Sequence, residues 1–298
     1  MGTSLVHEHI LVDFIGADST GYHRWNKDTV IAKVLPYLRE ARETGVTTLI
    51  ECTPVYLGRD PVLLQRLSKL SGLNILTNTG YYGAIENKAI PVHAYEETAD
   101  QLAERWIAEW KNGIEDTGIK PGFIKIAIPG DSVLSPIHEK IVRAAARTHR
   151  KTGLIINAHT GPSAAAEAAI RVLKDEGVDP SAYIWTHAQG GSQEAHLKLA
   201  REGVWISLDN VMPDNIDQYV SMLTNLKNND LLHKVLVSHD AGWYDVINPD
   251  SVQYRGYTAI FAQLKPALLD AGFTKEDLNM LLIINPAEAY GIRLKMKD

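Results

Sequence analysis

Eight short apolar runs recur along this sequence, each followed by a longer amphipathic segment, and that order restricts the fold more than any other feature. The runs lie at roughly 3–9, 46–53, 73–80, 122–128, 153–159, 182–187, 203–209 and 234–240. Stretches such as Leu-Asn-Ile-Leu-Thr-Asn-Thr and Lys-Val-Leu-Val-Ser-His alternate little, as expected of parallel strands covered on both faces. Between the runs, Val30, Val34, Leu38 and Ala41 recur at helical spacing, as do Leu102, Trp106 and Trp110. Ile141, Ala144 and Ala145 follow the same spacing, and so do Ile170 and Leu173. Ser135-Pro136 and the Thr274/Asp277 pair predict helix starts, while Gly45, Gly177, Gly203 and Gly272 predict helix ends. Eight β-then-α units in sequence predict a (β/α)8 TIM barrel. No Gly/Ser/Pro-rich linker or long charge block divides residues 1–298, so one domain is expected.

Composition narrows the partners. The net charge of −6 argues against a nucleic-acid partner, whose phosphates call for a basic face. No apolar run approaches the ~18 residues of a membrane span, so no membrane partner is expected. A single cysteine, Cys52, excludes an intramolecular disulfide and a cysteine-based metal cluster, and its apolar surroundings predict a buried core thiol. Only six residues precede His7, too few for a cleaved leader, and a cytoplasmic location is the expectation. The expected partner is a small-molecule substrate, with a homodimer as the commonest assembly.

Six residues at or just past the ends of these runs could bind metal. They are His7 and His9 in Val-His-Glu-His, Lys125 in Phe-Ile-Lys-Ile, His159 in Asn-Ala-His, His187 in Trp-Thr-His, and Asp240 in Ser-His-Asp. They fall on runs one, four, five, six and eight, at the end where barrels carry their chemistry. Strand alternation turns His7 and His9 the same way and Glu8 the other. Imidazoles with a carboxylate suit a divalent transition metal, most naturally zinc. Lys125 is the odd member, since an ammonium cannot bind a metal. Beside two cations, however, the neutral amine is favoured, and it can add CO2 to become a bridging carbamate. His7, His9 and Asp240 would then hold one ion and His159 and His187 the other. A shared hydroxide would be nucleophilic at neutral pH, with Asp240 as ligand, catalytic group and proton acceptor. His23, His93, His138, His149, His196, His233 and His239 read as surface residues, with His239 turned away from the site.

The chain resembles the phosphotriesterase family of the amidohydrolase superfamily. The pieces that carry the resemblance are Leu-Val-His-Glu-His-Ile at 5–10, Leu-Gly-Arg-Asp-Pro at 57–61, Asn-Thr-Gly-Tyr-Tyr at 78–82 and Gly-Phe-Ile-Lys-Ile-Ala at 122–127. Asn-Ala-His-Thr at 157–160, Ser-Leu-Asp at 207–209, Val-Ser-His-Asp at 237–240 and Asn-Pro-Ala at 285–287 continue it, in the family's order. The resemblance implies a binuclear centre on His7, His9, Lys125, His159, His187 and Asp240, with Lys125 carboxylated. It also implies a departure. Gly190 and Asn210 stand where the family's phosphotriesterases carry a proton relay, so the relay looks missing.

Loops set specificity in a barrel. Tyr82 matches a family position whose aromatic overhangs the metals and, in lactonase-like members, could hydrogen-bond a ring oxygen. The polar and aromatic loops 16–25 and 241–247 add Trp243, and Arg24, Arg59, Lys88 and Arg255 could form a cationic rim. Tyr82, Arg24, Arg255 and Trp243 are therefore the expected substrate contacts, with Arg59-Asp60 as a positioning pair. The expected function is hydrolysis of a lactone or carboxylic ester. Alternatives are a phosphotriesterase, a mononuclear amidohydrolase (a deaminase or amide hydrolase), and a catalytically silent metal-binding barrel.

Overall fold

In a computed structural model, described for residues 1–250 and 253–292, every predicted run becomes a strand. In chain order these are β1 Ser4–Glu8, β2 Thr48–Glu51, β3 Asn74–Leu76 resuming at Asn78–Thr79, β4 Phe123–Ala127, β5 Ile156–His159, β6 Tyr183–Thr186, β7 Trp205–Leu208 and β8 Val235–Val237. All neighbours pair in parallel, with Leu49 opposite Ile75, Lys125 opposite Asn157 and Val235 opposite Ile206. The ring closes through residues just past the strand ends. Asp240 N donates to His7 O at 2.9 Å and His9 N donates to Ala241 O at 2.8 Å. The fold is a (β/α)8 barrel, as predicted.

Seven helices pack outside, each after its strand: α1 Lys27–Glu43, α2 Pro61–Ser71, α3 Ala99–Asn112, α4 Pro136–Thr152, α5 Ser163–Asp175, α6 Gln193–Arg201 and α7 Ile216–Asn228. After β8 the helical segments Ile260–Leu264 and Lys265–Asp270 run on continuously. Val30, Val34, Leu38 and Ala41 bury one face of α1, as their spacing predicts. Ser135 stands at the N-cap of α4, but its hydroxyl bonds the His138 ring at 2.7 Å rather than a backbone N–H. Thr274 and Asp277 form the reciprocal capping box. No helix among the described residues is long and apolar enough to cross a membrane.

Period-two alternation sorts the strand residues into layers. Ile124 and Ile126 pack outward against the helices, while Phe123, Ile155, Ile184, Trp205 and Leu236 fill the floor of the barrel with Ala289 and Tyr290 from the C-terminal segment. Two residues further along the strands, the interior turns polar with Lys125, Asn157, Thr186 and Ser207, all buried. Another step brings His159 and Asp209 to the mouth. Along β5 and β7 the barrel interior thus changes from apolar to polar to ionisable, which places the chemistry at the C-terminal end. Cys52 belongs to the floor, and burial pushes its thiol up, the inert state expected of it.

Candidate metal centre

Six donors converge at that end. One cavity is lined by His7, His9, Lys125, His159, His187 and Asp240, together with Val12, Phe14, Leu57, Tyr82 and Trp243. All six residues singled out in the sequence therefore share a single chamber. A larger groove of about 300 Å³ lies outside, among Asp100, Ile107, Arg147 and neighbours of α3 and α4, and none of the six lines it. Size does not decide between them; the donor chemistry does.

Local backbone explains how residues beyond a strand reach back into its mouth. The β1·β2 register shifts between Leu5 and Glu8, a bulge at the histidine pair. His187 and Asp240 follow their strands in left-handed conformation, with φ of 61° and 49°. Such backbone costs about 1–3 kcal/mol for a residue with a side chain and persists where the surroundings overdetermine it. At Asp240 the surroundings are Glu8, whose carboxylate accepts from Ser238 Oγ at 2.7 Å, His239 N at 3.0 Å, His239 Nδ1 at 2.8 Å and Ala241 N at 2.9 Å. Glu8 thus faces away from His7 and His9, as alternation predicts, and ties the first ligand strand to the last. Gly242 sits at φ 98°, where a Cβ would meet His9 O at 1.8 Å, so only glycine fits there. The next residue, Trp243, lays its ring against His9 at 5.2 Å and donates Nε1–H to Asp240 O at 3.1 Å.

Inside the chamber His9 Nε2 lies 3.1 Å and His7 Nε2 3.6 Å from Asp240 Oδ1. His187 Nε2 is 2.8 Å from His159 Nδ1, and Lys125 Nζ is 3.4 Å from His7 Nε2. Burial and then the Lys125 charge pull His7 down to about 4, against Asp209 and Asp240. Burial, then His187 and Lys125, holds His159 well below the usual range. For Asp240, burial acts upward, but His7 and His9 outweigh it and hold the carboxyl at about 2. His7 and His159 are therefore neutral beside an ionised Asp240, whereas at His187 burial acts downward but the Asp209 carboxylate outweighs it and raises the ring.

Sequence reading missed the residue that organises this set. Asp209, fully buried just past β7, accepts from His7 Nδ1 at 2.9 Å and from His187 Nδ1 at 2.5 Å. Ser207 Oγ at 3.0 Å and the Gln189 side-chain amide at 3.3 Å add to it. Burial would raise this carboxyl, yet His187 and His7 together hold it well below the carboxylate range. A carboxylate only accepts, so each Nδ1 must donate, which leaves Nε2 as the ring atom that each histidine turns inward. Asp209 lies within 4.8 Å of His7 and His187 donor atoms, close enough to be a ligand itself, but its oxygens already hold both Nδ1 hydrogens. The signal was present: Asp209 ends a predicted strand in Ser-Leu-Asp, two residues above inward-facing Ser207.

These residues fit divalent metal. Asp240 Oδ1 is buried without a hydrogen-bond partner, and the donor atoms of His7, His9 and Asp240 lie within 4.8 Å of one another. A bare carboxylate oxygen facing imidazole lone pairs is unfavourable, and a cation between them relieves it.

Other expectations need correction. Arg24 is engaged by Asp13, at 2.6 and 3.2 Å, and does not line the chamber. Arg255 donates to the carbonyls of Asp240 and His239, at 3.3 and 3.0 Å, and is likewise absent from the lining. Lys88 pairs with Glu86, so the expected cationic rim is made of charges already used elsewhere. Arg59 and Asp60 do not pair with one another. Arg59 binds Glu109 and Asn78 O, whereas Asp60 caps α2 and accepts from Trp25 Nε1. His138, His196 and His239 are buried rather than superficial, with His196 Nε2 donating to Ala188 O at 2.6 Å, in the turn after His187. His239 faces away from the chamber, as expected, onto Glu8. Tyr82 and Trp243 do line it, and Tyr82 Oη is 3.3 Å from His159 Nδ1.

Comparison with known proteins identifies the family and the fold. Residues 1–290 match the family described as the phosphotriesterase family. The chain is 26% identical to the phosphotriesterase homology protein of Escherichia coli K12, across 97% of this chain and 98% of that one. It is 27% identical to the aryldialkylphosphatase of Saccharolobus solfataricus (97% and 95%). It is 28% identical to the N-acetyltaurine hydrolase of Dictyostelium discoideum (82% and 69%). The crystal structure of the E. coli phosphotriesterase homology protein, complexed with phosphate in its active site, superposes with a TM-score of 0.81 at 24% identity. That match covers 97% of this chain and 98% of that one, and at this identity it speaks for the fold.

Proposed function

This chain belongs to the phosphotriesterase family, and from that premise we propose that it hydrolyses a lactone or carboxylic ester with two divalent ions, zinc being the expected metal. The observation that carries the reading is Asp240, whose buried Oδ1 has no hydrogen bond and faces His7 and His9 across 3.6 and 3.1 Å. Bound there, divalent ions would polarise the substrate's carbonyl oxygen and supply hydroxide at neutral pH. His7, His9 and Asp240 would hold one ion and His159 with His187 the other, and Lys125, once carboxylated, would supply an anion to the pair. Asp209 fixes one ring in each set, His7 and His187.

The protein's own groups handle the rest. Asp240 accepts the proton released as the carbonyl is attacked and returns it to the leaving alkoxide. Val12, Phe14, Leu57 and Trp243 wall the chamber with apolar surface and limit bulk water around the reacting carbonyl. Tyr82 Oη, beside His159, is available to donate to a ring oxygen.

A carboxylic substrate is favoured over a phosphotriester because Gly190 and Asn210, at the positions where the resemblance places a proton relay, carry no titratable side chain. Gln189 spends its amide on Asp209, and Asn210 offers its carbonyl to Asn215. Proton movement then falls to Asp240 alone, which suits an alkoxide leaving group protonated where it departs. The names of the relatives put the rivals on the same panel. Zinc-loaded protein assayed against lactones, aryl esters, phosphotriesters and N-acyl amino acids tests the reading. Highest kcat/KM on a lactone or ester supports it, whereas highest kcat/KM on a phosphotriester or an amide replaces it.

A further inference from the structure

We infer that Asn157 is the positioning residue for the carbamate of Lys125, accepting the one N–H that the carboxylated nitrogen retains. This rests on the reading that Lys125 is carboxylated. Asn157 stands directly opposite Lys125 in the β4·β5 ladder, and Lys125 Nζ donates to Asn157 Oδ1 at 2.8 Å. Both side chains are buried in the polar layer beneath the chamber.

The direction of the Asn157 amide is set by its other neighbours. Tyr290 Oη donates to Val6 O at 3.1 Å, which uses its only hydrogen, so toward Asn157 it can only accept. Asn157 Nδ2 lies 2.9 Å from that oxygen and must be the donor. Asn157 Oδ1 is thereby turned to the opposite side, where Thr186 Oγ1 donates to it at 2.9 Å beside Lys125. The C-terminal segment, reaching up through the barrel floor with Tyr290, dictates which face of the amide the lysine meets.

Carboxylation makes this acceptor useful. The Nζ lone pair attacks the carbon of CO2, an N–C bond forms, one C=O bond pair moves onto oxygen, and one proton leaves Nζ for solvent. One N–H remains on a planar carbamate, so holding that hydrogen fixes the plane in which both oxygens lie. A donor in place of Oδ1 would oppose that hydrogen. An apolar group would leave it unsatisfied in the barrel interior.

The test compares wild type and Asn157→Leu, each reconstituted with zinc and labelled CO2. It reads the carbamate by carbon NMR and intact mass, and metal by elemental analysis. Asn157→Leu should lower the carbamate-to-amine ratio about fivefold, ~1 kcal/mol, because the free amine can swing to His7 Nε2, 3.4 Å away, whereas the carbamate keeps a single N–H fixed in its plane. Metal content should fall with it. In a Lys125→Glu background, where no lysine N–H exists, Asn157→Leu should leave metal content unchanged; an equal loss there would mean general damage to the barrel and overturn the assignment. Wild-type carbamate occupancy in folded Asn157→Leu would also overturn it. If that variant does not fold, Tyr290→Phe serves, since it removes the hydroxyl that orients the amide. A reduced carbamate signal then supports the role and an unchanged one refutes it. Absence of carbamate from metal-replete wild type would instead defeat the carboxylation reading itself.

Discussion

Asp209 holds His187 through a 2.5 Å contact from carboxylate Oδ1 to ring Nδ1, and with its other oxygen it holds His7 at 2.9 Å. One buried carboxylate therefore sets the tautomer of a histidine in each proposed ligand set. Asp209→Asn keeps the shape but can accept from only one ring, while its NH2 opposes the other. Metal affinity, measured by chelator competition, should fall about 10- to 100-fold, the usual cost of losing a partner behind a ligand. Unchanged affinity would mean the rings are held by packing alone.

Asp240 should matter more for turnover than for folding. Asp240→Asn should lower kcat by roughly 10²- to 10⁴-fold, the range of acid–base catalysis. The melting temperature should stay near wild type, because the carboxylate faces His7 and His9 in the chamber rather than the apolar core. Near-normal kcat in a metal-replete variant would remove Asp240 as the proton carrier.

Lys125→Ala should lose bound metal, since the proposed anion common to both ligand sets would be gone while His7, His9, His159 and His187 remain. Added short-chain carboxylate should restore part of the metal content and part of the activity. In the wild type, acidification should release a mass equal to one CO2, and an intact mass without it in metal-replete protein would contradict carboxylation.

Folding stability should depend on pH through Glu176, which follows α5. Hydrogen bonds from Arg147 outweigh the effect of burial and, with Arg143 of the same helix, hold its carboxyl below the ordinary range. The folded pKa lies below the unfolded one, so the contribution is full above the unfolded value, about 4.5, and is lost as pH falls through the folded value. Glu176→Gln should cost about 1 kcal/mol at neutral pH, roughly 2–4 °C in melting temperature. The gap should close in strong acid; a gap independent of pH would assign the loss to packing.

Substrate preference follows from the chamber. The best lactone should exceed an activated phosphotriester by at least about tenfold in kcat/KM, ~1.4 kcal/mol of transition-state stabilisation. A reversed ranking across a broad panel would move the assignment to phosphotriester chemistry without touching the ligand set.

What the sequence determined by itself was the barrel and the convergence of the candidate ligands on one chamber. Strand periodicity is local, and the rule that barrel chemistry gathers at C-terminal strand ends converts eight local patterns into one place. His7, Lys125, His159 and Asp240 could therefore be gathered without coordinates. What only the tertiary structure decided was how each charge is used. Asp209 meets His7 across 202 residues of chain, and Arg24 could have faced either Asp13 or a substrate. His138 and His196 sit on helices, yet both are buried against backbone carbonyls. Asn157 owes its orientation to Tyr290, 133 residues away. Such pairings depend on distances between elements far apart in sequence, and a buried polar group takes whichever partner the packed fold brings within about 3 Å.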